Sequence, residues 1–413
     1  MASIDMYGCY KAKNALYLFC LLILCVVFFP RVIVSELPYS VSGLDFSIPL
    51  IVASLIFFGR AKLLFSALRF IEFKIYAFIV VLMLFFPFLS FLFSDSEPAF
   101  VRSLLQGIRH LSSIFIIAFL IFFYVYVLNN NLEKFIRIIF YFYVYGSLFY
   151  LIVSLNTIPA LSPSSDLDGT TFSSIGMDLR FAGFSGSPTP FAVICFLYVW
   201  FIWSCEYIQK SFLFRGVATI AMVFLILLSL SKSAIVLTIF MLFLMLLISS
   251  YRRNRGKFWF RAPIYFCVFF SCMVFMFIVF KEQFLDLYDR AIISFYGRLD
   301  IYDRVIEQRL LAEDFMMIIG SGWKSYAVGA HNEVLEILIG FGLFAGLVII
   351  LLLYVVLPSV FLIYVRNINA LIPIFFIFVS SLFQEIFLDP VVMIFFVTFL
   401  IIYRMNISNI SCA

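Results

Sequence analysis

A chain of 413 residues that is 65% apolar and only 12% charged is not a water-soluble domain, because soluble proteins carry about 25% charged residues. Its net charge of +5 follows the loops between apolar runs, which points to orientation in a bilayer and away from nucleic acid. The eight cysteines fall mostly inside apolar runs and form no CxxC pair, so no disulfide framework or zinc site is predicted.

Apolar runs close to the ~20 residues needed to cross a bilayer recur along the chain. They predict twelve transmembrane helices, at 14–34, 44–59, 73–93, 108–128, 135–155, 188–208, 214–230, 232–250, 262–280, 334–357, 369–388 and 391–403. The fold class is therefore all-α, a polytopic membrane protein. A transmembrane barrel would show alternating segments of ~10 residues instead. The first run, NALYLFCLLILCVVFFP, lacks a small-residue cleavage site and reads as a retained span.

The chain divides into five spans within 1–155, a long loop at 156–187, four spans within 188–280, a second long loop at 281–333, and three spans within 334–413. Lys and Arg accumulate in short cytoplasmic loops. Placing both termini in the cytoplasm puts most of the 28 Lys and Arg there, including Arg60, Lys62, Arg69, Lys74 and the YRRNRGKFWFR block at 251–261. Both long loops then lie on the outer face, where two polar surfaces can close over one cavity.

Four segments carry chemistry. In MDLRFAGFSGSPTPFA (177–192), glycines and prolines form a stiff turn into a span, with Arg180 just ahead. Arg180 is a ligand candidate, or else an interfacial anchor. In LLSLSKSAIV (227–236), Lys232 interrupts two apolar runs beside three serines. A cation at that depth faces a polar cavity or snorkels to the interface.

The third segment, RLDIYDRVIEQRLLAED (298–314), has Leu299, Tyr302, Ile306 and Leu310 at helical spacing, which predicts an amphipathic helix along the membrane surface. Arg298 and Arg309 stand about three turns apart on it and share a face. Guanidinium groups bind diphosphate bidentately at any physiological pH. Pairing at i,i+4 is the competing role, Asp300 with Arg304 and Arg309 with Glu313. It claims Arg304 first and leaves Arg309 open.

The fourth segment, GSGWKSYAVGAHNEVLEILIGFGLFAG (320–346), has Gly320 and Gly322 in a tight turn and His331–Asn332 at the start of a span. A helix N-terminus attracts phosphate and disfavours protonation of a nearby imidazole. His331 is thus a candidate general base, or His331 and Asn332 simply cap the helix. Glu336, one turn on, is placed to orient Asn332, and Gly342 with Gly346 permits close helix packing. His110 with Arg109 is expected at the interface, Gln384 and Glu385 are further polar candidates, and Asp389–Pro390 reads as a hairpin.

In this order the segments resemble the O-antigen polymerase and O-antigen ligase superfamily of bacterial surface-polysaccharide glycosyltransferases. The resemblance rests on Arg180 with Gly183 and Pro188, the Ser-rich segment before Lys232, Arg309 followed by Gly320 and Gly322, and HNEVLEILIGFGLFAG. Such proteins often carry Arg where Lys232 stands, and ligases tend to space glycines differently after the His-Asn pair.

The resemblance implies a GT-C-like, metal-independent enzyme of the bacterial inner membrane, with a periplasmic active site and no cofactor. Its substrates would be oligosaccharides on undecaprenyl diphosphate. His331, Arg309 and Arg180 would be catalytic, with Arg298, Lys232, Asn332, Glu336 and Arg304 binding diphosphate or sugar. Membrane lipids, a chain-length regulator (polysaccharide co-polymerase) and a flippase would be its partners. A polymerase is the first expectation and a ligase acting on lipid A-core the alternative. A transporter or flippase, which places charges near mid-bilayer, ranks lower.

Overall fold

The computed structural model describes residues 2–29, 32–34, 40–41, 45–46, 67–93, 97–154, 161–163, 181, 183–185, 187–205, 212–229, 231–253, 255–279, 307, 318, 320, 332–365, 370–382 and 386–411. Helices dominate: α1 Ala2–Val27, α2 Ile71–Phe93, α3 Glu97–Phe122, α4 Leu132–Ser154, α5 Pro188–Ser204, α6 Phe212–Leu228, α7 Lys232–Arg253, α8 Arg255–Val279, α9 Glu333–Leu351, α10 Leu357–Val365, α11 Leu371–Ser381 and α12 Pro390–Ser411. Five described stretches are long and apolar enough to cross a membrane: Gln106–Val127, Leu132–Ile152, Ala234–Tyr251, Glu333–Ile363 and Pro390–Ile407. The expected helical membrane architecture is present, but these five fall short of the twelve predicted spans. Shorter apolar helices such as Pro188–Ser204 and Leu213–Leu228 accompany them. The predicted span at 44–59 lies almost wholly outside the described residues.

The surface carries the same message. On α6, Leu213, Val217, Ile220, Phe224 and Leu227 are exposed, while Ala218, Met222 and Ile226 are buried. Both sets follow helical spacing. An apolar stripe left open on a helix that already buries its other face suits a hydrocarbon solvent.

Turns are set by local chemistry. Between α3 and α4, Asn129 and Asn130 take positive φ of 51° and 57°, a region that Asn tolerates better than most residues. Asn131 then caps α4 by accepting from the Lys134 amide at 2.9 Å. Asp389, expected in a hairpin, is the N-cap of α12. Its Oδ1 accepts from the amides of Val391 at 2.8 Å and Val392 at 3.1 Å, with Pro390 at the first helical position where no amide is needed. Asp389→Ala should cost about 0.5–2 kcal/mol, read as a lower unfolding temperature in detergent, whereas Asp389→Asn should cost little.

Contacts fix helix directions. Tyr198 donates to the Ile136 carbonyl at 2.9 Å and Tyr143 to the Ile194 carbonyl at 3.3 Å, so α4 and α5 run antiparallel. Rings of α5 and α12 meet in rising order, Tyr198 with Phe399 at 6.5 Å and Trp200 with Tyr403 at 5.2 Å, so these two run parallel. Phe28, Tyr143, Phe184, Phe191 and Phe395 are buried and interlock through successive ring contacts. This aromatic knot joins the end of α1, the middle of α4, the turn before α5 and the start of α12.

A small sheet adds to the helices at the same end. Strand β1 (Val32–Val34), just after α1, pairs antiparallel with β2 (Ser40–Val41) and with β3 (Leu161–Pro163), just after α4. The register sets Val32 opposite Val41 on one side and Pro163 on the other. At the opposite end, α2 and α12 are tied by Arg404, whose Nη1 donates to both oxygens of the buried Glu72 at 2.9 Å.

Candidate functional site

Two of the four chemical segments meet through their backbones. The Phe181 amide, next to Arg180 in sequence, donates to the Leu228 carbonyl at 3.2 Å. The hydroxyls of Thr189 and Ser231, both buried, lie 2.8 Å apart. The turn into α5 and the turn into α7 are therefore one packed unit, and Lys232 opens α7. Gly183 holds that unit tight: at φ 53° a Cβ there would lie 2.2 Å from the Phe191 ring. The stiff turn expected at 183–190 thus exists, and sterics make it stiff.

The fourth segment holds the largest departure from expectation. Instead of one straight span, α9 breaks at Gly342, which adopts φ 74° and ψ 172°. Tyr354 donates to Glu333 Oε2 at 2.8 Å, although 21 residues separate them. In a straight helix they would be about 30 Å apart. The chain therefore runs from Glu333 to the kink and returns alongside itself, and residues 343–363 make the continuous outbound helix. Gly342 and Gly346, expected to pack against another helix, serve this reversal: a Cβ on Gly346 would lie 3.0 Å from Leu338 Cα.

Gly320 is drawn into the same feature. Its φ is 89°, and a Cβ on it would lie 2.4 Å from the Gly342 amide nitrogen and 2.5 Å from the Gly340 oxygen. Two backbones cross with no room for a side chain on either glycine. Ile318 and Gly320 are thereby packed on the kink of α9.

At the start of α9, Asn332 is a cap. Its Oδ1 accepts from the amides of Val334 at 3.0 Å and Leu335 at 3.2 Å. Glu336, placed to orient Asn332, donates its backbone amide to the Asn332 carbonyl at 3.0 Å. The neighbouring Glu333 is buried, with Oε1 accepting from the amides of Ile386 at 3.1 Å and Leu388. The Tyr354 hydroxyl donates to its other oxygen, Oε2, so both carboxylate oxygens are engaged.

Leu388 links this tip to α3. Its carbonyl accepts from Gln106 Nε2 at 3.2 Å and lies 3.1 Å from His110 Nε2, which must carry the proton. His110 Nδ1 sits 3.0 Å from the Tyr76 hydroxyl, which also meets Ser113. His110 is thus buried inside the helix bundle rather than at the interface, because both ring nitrogens find partners there. Arg109 beside it pairs with Asp45 at 3.0 Å.

Of the predicted site residues, Asn332 and Glu336 are described with their contacts, and Lys232 is placed as the first residue of α7. Arg180, Arg298, Arg304, Arg309 and His331, with Gln384 and Glu385, lie outside the described residues. Glu333, Tyr354 and Tyr76 are polar members absent from the sequence reading, and His110 is one it placed at the interface. Glu333 had a signal: it stands four and eight residues before the buried Ile337 and Phe341, hence on the buried face. Among the described residues no group of three or more His, Cys, Asp or Glu could hold a metal ion.

These features define the class: a helical membrane protein whose loop-bearing end is built from the starts of α5, α7, α9 and α12. No family model matches the chain, and no curated protein matches it.

Proposed function

We propose that the chain is an O-antigen or related polysaccharide polymerase of the bacterial inner membrane, a GT-C-like enzyme working at the periplasmic face with both termini in the cytoplasm. One observation carries the reading. The backbones flanking the candidate residues converge at one end of the molecule, Phe181 on Leu228 and the Glu333 tip on the turn at 386–388. The Gly320 segment crosses the kink of the same α9. The positions next to Arg180 and Lys232 share one packed unit, and the position next to His331 is tied to the turn that opens α12, an arrangement that supports a shared diphosphate-sugar substrate.

In this reading the donor is a glycan chain on undecaprenyl diphosphate and the acceptor a hydroxyl on a second lipid-linked repeat unit. The acceptor oxygen bonds to the anomeric carbon as the bond from that carbon to the diphosphate oxygen breaks. His331 takes the hydroxyl proton, and the lipid diphosphate leaves as an anion stabilised by Arg180, Arg309 and Arg298. The leaving group is already activated, so the reaction consumes no nucleotide. Lys232 and Arg304 contribute further positive charge. Asn332 has its carbonyl oxygen committed to the cap, so its amide NH2 is the part open to substrate, and Glu336 lines the same tip. A flippase delivering repeat units and a chain-length regulator are the partners this chemistry calls for.

The test is direct. Purified protein given lipid-diphosphate-linked repeat units should produce a ladder, and Arg309→Ala and His331→Ala should each cut ladder formation by at least about 100-fold. A ladder indifferent to both substitutions would remove the site assignment. A deletion strain that shows bare core with polymer stranded on the carrier lipid, instead of single repeat units on the core, would make the chain a ligase.

A further inference from the structure

We infer that Glu333 is a positioning residue for this site, holding the His331–Asn332 tip in register with the bundle. The inference rests on the proposed sugar-joining function. Glu333 is fully buried and both its oxygens are engaged, Oε1 by the Ile386 and Leu388 amides and Oε2 by the Tyr354 hydroxyl. Buried and bound in this way, it acts by holding backbone in place.

Its partners come from two separate pieces of chain, one of which is itself held on α3. Tyr354 belongs to the returning limb of the hairpin. Ile386 and Leu388 belong to the turn that delivers Asp389 and α12, and the Leu388 carbonyl is held by Gln106 and lies against His110 on α3. One carboxylate thus fixes the tip of α9 against its own return limb, against α12 and against α3. A shift at Glu333 moves His331 directly, two residues away.

Variants at this position separate geometry from charge. Glu333→Gln keeps a carbonyl oxygen for the two amides and turns an NH2 toward the Tyr354 hydroxyl, which can accept. Glu333→Asp keeps the charge but withdraws it by one methylene. Positioning predicts that Gln retains most of the ladder-forming kcat, Asp loses about tenfold and Ala loses about 100-fold, the scale expected for misplacement near 1 Å. KM for the lipid-linked acceptor should move less than threefold. Active Asp with inactive Gln would overturn the inference, since the charge itself would then be required, as would Ala matching wild type.

Hydrogen exchange at the Ile386 and Leu388 amides supplies a readout independent of catalysis. Protection should persist in wild type and Gln and fall in Asp and Ala. An inactive wild type with that pattern intact overturns the sugar-joining reading while supporting the tie. Unchanged protection in all four proteins overturns the tie.

Discussion

Gly342→Ala and Gly320→Ala should each destabilise the protein severely and abolish ladder formation, while Gly216→Ala is neutral or slightly stabilising. Gly342 sits at φ 74° and ψ 172°, a region that is essentially closed to residues with a Cβ and costs about 1–3 kcal/mol. A Cβ there would also meet the Ile318 carbonyl oxygen at 2.2 Å and the Gly320 amide nitrogen at 2.5 Å. These are backbone atoms that cannot rotate away, and overpacking of this kind adds about 1–3 kcal/mol. Gly320 faces the reverse of the same crossing. The two substitutions disrupt one contact, so the double variant should lose less than the sum of the singles. Gly216, in α6, has nothing within 4 Å of its Cβ position, and Ala is the better helix former there by about 0.5–1 kcal/mol. Thermal unfolding in detergent with ladder assays on the same preparations checks all four. A Gly342→Ala protein with wild-type unfolding would show that the backbone crossing does not exist.

The sequence made the helices legible because an apolar run near membrane length leaves the backbone no partner but itself. It did not reveal that α9 doubles back. The apolar pattern of ILIGFGLFAG continues through Gly342 without a break, with apolar residues on both sides of it. Only the positive φ, set by the backbone of residues 318–320, marks the reversal. His110 was misplaced for a related reason: its partners Tyr76 and Leu388 are 34 and 278 residues away, and no local pattern encodes such pairings. The strands are two or three residues long, too short for an alternation to be read. Asn332 as a cap and the turn at 183–190 were legible, since each depends on residues within one turn of itself. Glu333 lay in plain view, but Glu336 drew the attention because it follows Asn332 at helical spacing.

The second large effect is expected at the opposite end of the molecule and should leave chemistry untouched. Arg404 and Glu72 are 332 residues apart, yet one guanidinium nitrogen serves both carboxylate oxygens. Glu72 is fully buried, whereas the Arg404 side chain keeps 23% exposure. That asymmetry fixes the order of the variants. Arg404→Ala strands a buried carboxylate and should cost about 3–5 kcal/mol. Glu72→Ala leaves an arginine that can turn its head toward water, so it should cost clearly less. Arg404→Lys should recover part of the loss, because a single nitrogen already makes both contacts. The pair ties the start of α2 to the far half of α12, remote from the starts of α5, α7, α9 and α12. Protein that folds at low temperature should therefore form ladders at the wild-type rate while unfolding earlier on heating. A fall in ladder rate at constant folded fraction would mean that the two ends of α12 are coupled, and that the site is not built on a rigid frame.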